Sequence, residues 1–325
     1  MSPTFHAAAL AVALTVSAMA GPWMLRRASP ALMRVPRLAI GLLVAGITSW
    51  VLALLALGPL LAWILTGPAL LPSNSAEICQ RCLAASNPWT SPSFETVIPV
   101  VALLALPALM VTFQAVVIVV NTRRRRAATA RTARRLKAHS TQRRVHGYRV
   151  RVADDPNPFA LALPRRCGGI VISTGALELL THDETEAVLA HEHAHLHQRH
   201  HLITAVVQNL TLRLRWVPLL AAAADTLGLY QEIAADDAVR HQLGTPALAS
   251  ALLTLGQHGD WAAHENIYGA LHAVGPNRVQ HLVQPGTGMA GVLSTASASC
   301  CLAALAIFGF TVHVPYALAA LTGCI

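Results

Sequence analysis

Charge is scarce in this sequence. Asp, Glu, Lys and Arg make up 12% of its 325 residues, and hydrophobic residues make up 54%. A soluble domain usually carries about 25% charged residues. The deficit argues against a wholly soluble chain and for a bilayer, and a mean hydropathy of +0.50 agrees. Lys and Arg are missing before the first apolar stretch, while Arg26 and Arg27 follow closely after it. That order is the reverse of a secretory signal peptide, so Ala18-Met19-Ala20 is not read as a cleavage site. Cysteine is also sparse, at six residues, which excludes a small disulfide scaffold. Cys79 and Cys82 form an isolated CxxC, half of a four-ligand zinc site, whose two thiols could pair in an outward-facing loop.

Four apolar runs are long enough to cross a bilayer, for which a helix needs about 20 residues. They are His6 to Leu25, Leu38 to Leu65, Val97 to Val120, and Gly291 to Leu321, the last without a single Asp, Glu, Lys or Arg. The basic residues between the runs set an orientation by the positive-inside rule. Arg26, Arg27, Arg34 and Arg37 make the first connection cytoplasmic. The mildly acidic loop at 66–96 faces out. Twelve of the 24 basic residues fall between Arg123 and Arg151, placing that segment inside. It directly follows a span, and its only aromatic is Tyr148. It therefore reads as a juxtamembrane segment near anionic lipid, and no direct nucleic-acid partner is expected, since a single-strand binder would interleave several aromatics.

The expected architecture is an α-helical membrane protein with about four transmembrane helices and a cytosolic α+β zincin-like domain between spans three and four. The expected boundaries are 1–121 for a three-span region, 122–147 for the basic segment, 148–290 for the cytosolic domain and 291–325 for the last span. The N-terminus is expected outside, in a plasma membrane crossed several times.

Within the cytosolic segment the pattern changes. Tyr148 to Ala153 alternates as a strand does, Asp154-Asp155-Pro156-Asn157-Pro158 is a turn cluster, and Phe159 to Leu163 and Gly169 to Ser173 read as short strands. Thr181-His182-Asp183-Glu184 is a capping box that opens a helix. Leu202 to Ala224 is apolar but contains Arg213 and Arg215, so a single long buried or membrane-surface helix is expected there.

The helix opened by Thr181 carries His191-Glu192-His193-Ala194-His195, an H-E-x-x-H string. Residues i and i+4 lie one above the other on a helix, so two imidazoles can reach one zinc ion at about 2.0–2.1 Å. Glu192 stands about 100° round the helix, where it can take a proton from zinc-bound water. A catalytic zinc needs a third protein ligand, and Glu232 can supply it. Asp236, at i+4 from Glu232, can accept the free N–H of a ligating imidazole. His193, His197, His200 and His201 crowd the same region. No correctly offset acid serves His193 and His197, so these four read as surface residues. Arg240 and His241, just beyond the second motif, are candidate oxyanion stabilisers.

H-E-x-x-H followed by E-x-x-x-D resembles the gluzincin metallopeptidases, and the layout resembles the membrane peptidases of the BlaR/MecR type. The resemblance implies one Zn2+ per chain, held by His191, His195 and Glu232, with Glu192 as general base and Asp236 behind the ligands. It implies a zinc endopeptidase acting on a protein substrate, such as a cytosolic transcriptional repressor. Asn157, Phe159 and Ala160 resemble the region before the zinc helix in HtpX-type proteases, where an edge strand holds substrate by main-chain hydrogen bonds. That likeness implies membrane-protein quality control as the alternative. A non-catalytic metal-binding sensor is a third reading, but a structural site has no need of Glu192. The β-lactam sensors carry a penicillin-binding domain after their last span. This sequence ends at Ile325 and offers no S-x-x-K nucleophile in an outward-facing place, so sensing by acylation is not expected.

Overall fold

The computed structural model describes residues 3–66, 73–87, 94–258 and 289–322. The described residues form ten α-helices and six strands. The first two helices are α1 (Pro3–Leu32) and α2 (Pro36–Ile64); α3 (Ser73–Ser86) lies between the two-residue parallel strands β1 (Leu65–Thr66) and β2 (Phe94–Glu95). Helix α4 (Val100–Ala138) follows, and α10 (Val292–Leu321) ends the described chain. Among the described residues four segments are long and apolar enough to cross a membrane: Phe5–Leu32, Pro36–Ile64, Val100–Ala138 and Val292–Pro315. They coincide with the four apolar runs of the sequence. The C-terminal part of the expected 148–290 segment, from 259 to 288, lies outside the described residues. Cys79 is free and Cys82 is disulfide-bonded, so the two thiols of the CxxC do not pair with each other.

Helix α4 does not stop where its apolar part ends. It runs unbroken through Arg123 to Lys137, and its chain continues into β3 (Ser140–Val145). β3 is the outer strand of a four-stranded sheet of order β3-β4-β6-β5, completed by β4 (Tyr148–Ala153), β5 (Ala160–Ala162) and β6 (Ile170–Ser173). β4 pairs parallel with β6, and the other two pairings are antiparallel. Thr-Gln-Arg-Arg in β3 is exposed, and a polar, charged outer strand discourages pairing with other chains. That polarity is why β3 leaves no strand signal in the sequence.

Two helices present the functional residues. Thr181 caps α6 (His182–His197): Glu184 N–H donates to its side chain, and Thr181 N–H donates back to the Glu184 carboxylate at 2.9 Å. Val188 and Leu189 of α6 are buried against Val150, Val152, Ile170 and Ile172 of the sheet, each such side chain contributing about 1.5–3 kcal/mol. α5 (Thr174–Leu179) links β6 to this helix, and α9 (Pro246–His258) covers it with Leu248.

The single helix expected over 202–224 is two: α7 (His200–Thr211) and α8 (Pro218–Leu243), with a reversal between them. Pro218 lacks an N–H and disfavours helical backbone in the residue before it, so the chain breaks there and restarts with Pro at the first helical position. The reversal returns the chain to the side from which it came and brings Glu232 back toward α6. The first half of α8 is anchored among the apolar helices: Leu220, Ala223, Leu227 and Tyr230 share one core with Leu43, Ile47 and Trp50 of α2. Gly21 of α1 permits this docking, because a Cβ at that position would collide with Leu219.

Candidate metal centre

His191, His195 and Glu232 meet at the crossing of α6 and α8. Their ligand atoms lie within 4.8 Å of one another. The two Nε2 atoms are 3.1 Å apart. His191 Nε2 lies 3.4 Å from Glu232 Oε2, and His195 Nε2 lies 3.4 Å from Glu232 Oε1. A tetrahedral zinc with bonds of about 2.0–2.1 Å separates its ligand atoms by roughly 3.3–3.4 Å. The triangle therefore has the size a zinc ion requires, and two imidazoles with one carboxylate are a donor set that suits zinc. Glu232 is fully buried and His191 nearly so. Glu192 is buried beside them, on the next position of α6.

Asp236 stands one turn beyond Glu232, and its Oδ1 lies 3.0 Å from His191 Nδ1. In the metal-free cluster burial opposes charging of His191, but Asp236 and Glu232 outweigh it and push the imidazole up to about 10. The same carboxylates that favour a proton on His191 favour a cation in its place.

His200 corrects the sequence reading. α6 ends at His197, Arg199 adopts left-handed backbone with φ 54°, and α7 begins at His200. That turn folds His200 back, so it is buried, with its Nδ1 2.9 Å from His195 Nδ1. Its Nε2 lies 3.2 Å from Gln198 Oε1, and Gln198 Nε2 donates to Ala234 O on α8 at 3.2 Å. Gln231 Nε2 donates to His200 O at 3.2 Å, and Thr204 donates to Gln231. Burial, with His195 adding to it, lowers His200 to about 3, so it is neutral and can accept from His195. A helix-period reading cannot see this, since it projects His200 along an axis that the chain leaves at Gln198. His193 and His197 are exposed, with ring centroids 6.3 Å apart.

Arg240 pairs with Asp237 at 2.9 Å, and His241 is exposed. They lie eight and nine residues beyond Glu232, roughly 12–14 Å along the helix, and the fold does not bring them to the cluster. Ala160 lies in β5, whose outer edge is unpaired among the described residues, next to α6. Phe159 precedes it and exchanges hydrogen bonds with Ser173. Asn157 lies outside the strand, its N–H donating to Asp155 Oδ1 at 2.9 Å. The main-chain bonds Ser173 N→Phe159 O and Leu163 N→Gly169 O fix the pairing phase. Ala160 and Ala162 thus turn their N–H and C=O groups to the open edge.

With this geometry in place, residues 120–258 match the profile of Peptidase family M48. Over that segment the chain is similar to an M48 peptidase domain. A stretch of 42 residues is 52% identical to a protein named Protease HtpX homolog from Neisseria meningitidis serogroup B, covering 13% of this chain and 15% of that protein. Another of that name, from Neisseria gonorrhoeae strain FA 1090, matches to the same extent. Over 76 residues the chain is 28% identical to a Protease HtpX homolog from Thermodesulfovibrio yellowstonii, covering 23% of this chain and 27% of that one. The chain thus spans between about a seventh and a quarter of the length of these relatives. No solved structure matches it significantly. The matched segment starts within α4 and contains both α6 and α8.

Proposed function

We propose that this chain is a membrane-anchored zinc endopeptidase. The observation that carries the reading is the triangle of His191, His195 and Glu232, whose edges of 3.1 to 3.4 Å fit a tetrahedral ion. These three residues hold one ion. When bound, zinc polarises a scissile carbonyl and lowers the pKa of attacking water toward about 7. Glu192 takes the proton of that water and delivers it to the leaving amine. Asp236 holds His191 through Nδ1, and His200 holds His195 through Nδ1, so both imidazoles keep Nε2 directed at the centre. The open edge of β5 takes the substrate as an added extended strand, through the main chain of Ala160 and Ala162.

The M48 domain lies on the cytosolic side of a bacterial plasma membrane, with the N-terminus outside. The support for this is the concentration of Arg and Lys in 123–151 and in the connection after α1. Two substrate classes are open to it, a cytosolic regulator such as a repressor, which the placement of three apolar helices before the domain favours, and membrane-associated proteins. Purified full-length protein tests the reading. Glu192→Ala removes about 10²–10⁴-fold of peptide hydrolysis while zinc stays bound; full cleavage by that variant refutes it. A single cut in one soluble regulator supports the first class, and cutting of many unfolded membrane proteins supports the second.

A further inference from the structure

A second cluster of ligand-type side chains lies away from the M48 centre. His146, His182 and Glu186 hold their ligand atoms within 4.8 Å of one another. Two elements supply them. His182 and Glu186 are i and i+4 on the first turns of α6, hence on one face. His146 comes from the tight turn between β3 and β4. Both residues of that turn, His146 and Gly147, have positive φ, at 48° and 79°. This is the I′ hairpin pattern, for which Asn-Gly is the usual pair. Histidine, with Asn and Asp, is one of the few side chains that adopt such backbone readily, so the turn accommodates His146.

The turn directs His146 at α6. Its side chain is 12% exposed, with Nδ1 4.0 Å from Glu186 Oε2. Its ring meets that of His182 edge to face, with centroids 4.0 Å apart. His182 Nδ1 also lies 3.5 Å from Asp183 Oδ1, a second carboxylate at the rim.

We propose that His146, His182 and Glu186 form a second metal site that takes a divalent transition ion such as Zn2+. Two imidazoles and one carboxylate select this class over Mg2+ or Ca2+, which prefer all-oxygen surroundings. The separations are somewhat wider than the roughly 3.3–3.4 Å that tetrahedral zinc sets. His182 is at the surface and can close the gap by side-chain rotation, and water completes the coordination on the open side. The ion fastens the hairpin turn to the start of α6. His191 lies nine residues beyond His182 and five beyond Glu186 on that helix, about 13 Å and 7–8 Å, so this site clamps sheet to helix and takes no part in hydrolysis. Its ligands are shared with no residue of the M48 centre, so the second site stands whether or not the chain cuts peptides.

The test is zinc stoichiometry of the full-length protein in detergent, tag removed, after stripping and dialysis against Zn2+. Wild type is expected to hold two equivalents, and His182→Ala and Glu186→Gln one each. Neither change touches the fold's core, and unchanged thermal unfolding after chelation verifies that. In wild type, loading the second equivalent raises Tm; in Glu186→Gln that increment disappears. A single equivalent in wild type that is lost on Glu232→Gln overturns the proposal. So does a second equivalent that survives both substitutions, which assigns it to other histidines of the stretch. Failure of the M48 centre reads out separately, as a zinc count that Glu232→Gln leaves unchanged.

Discussion

His191 Nδ1 lies 3.0 Å from Asp236 Oδ1, an imidazole of α6 against a carboxylate of α8. The contact joins two helices separated in sequence by the whole α7 hairpin, and it fixes which nitrogen of His191 remains for a metal. Asp236→Asn keeps the shape but weakens the acceptor, and its amide can present N–H where O is needed. Zinc affinity, read by chelator competition, is expected to fall about 10–100-fold, with Glu232 and both histidines intact. Unchanged affinity refutes the orienting role.

His200 acts on the other ligand. Its Nδ1 faces His195 Nδ1 at 2.9 Å, and Gln198 continues the contact to the backbone of α8. His200→Ala leaves the His195 N–H facing an apolar hole. A loss of about tenfold in zinc affinity is expected, with a broadened visible spectrum in the cobalt-substituted protein as His195 loses its orientation. His200→Gln, which can present an acceptor, is expected to recover part of the affinity. Equal defects in both variants make the role purely one of packing.

The two motifs are legible in the sequence because their chemistry is tied to helical spacing: His191/His195 and Glu232/Asp236 each need one turn and nothing else. The four apolar runs are legible because bilayer thickness fixes their length. The role of His200 is not, because it depends on Arg199 leaving helical backbone. The α7–α8 reversal is hidden for a different reason: Pro218 marks a break, but not the direction the chain takes after it. β3 is hidden by its own polarity, and its partners in β4 are what make Arg143 and Arg144 strand residues.

The raised His191 gives a pH signature of two opposite signs. Its folded value of about 10 exceeds the unfolded value of about 6.5. In chelated protein the stabilisation is therefore full below about pH 6.5 and is lost as pH rises toward 10. Zinc must displace that proton, so its affinity weakens as pH falls through the same window. Calorimetry at pH 8 in buffers of different ionisation enthalpy is expected to show close to one proton released per zinc from this group. No proton release places the proton elsewhere in the cluster.

Thr181 tests the link from sequence to site. Its side chain caps α6 and the Glu184 carboxylate caps it in return, with Ser250 of α9 donating to the same carboxylate. These hydrogen bonds, Ser250's first, hold Glu184 below its usual range against the effect of burial. Its contribution is thus present above the unfolded carboxylate range and is lost as pH falls through the lowered value. Thr181→Ala is expected to cost about 1 kcal/mol in chemical unfolding, and Thr181→Ser almost nothing. If both cost the same, methyl packing rather than the cap stabilises the helix start.

The open edge of β5 sets the last prediction. Ala162 faces away from β6, and its N–H is directed to the free side of the strand next to α6. Proline there deletes that donor, fits the φ of extended backbone, and is tolerated at a sheet edge. Ala162→Pro is expected to raise KM for a peptide substrate several-fold, about what loss of one or two main-chain hydrogen bonds of roughly 0.5–1.5 kcal/mol each implies, while zinc stoichiometry and kcat hold. Leu161 pairs inward with Val171, so proline at 161 removes a bond within the sheet itself and is expected to lower thermal stability instead. A KM unaffected by Ala162→Pro, with the sheet intact, means that substrate does not add to this edge.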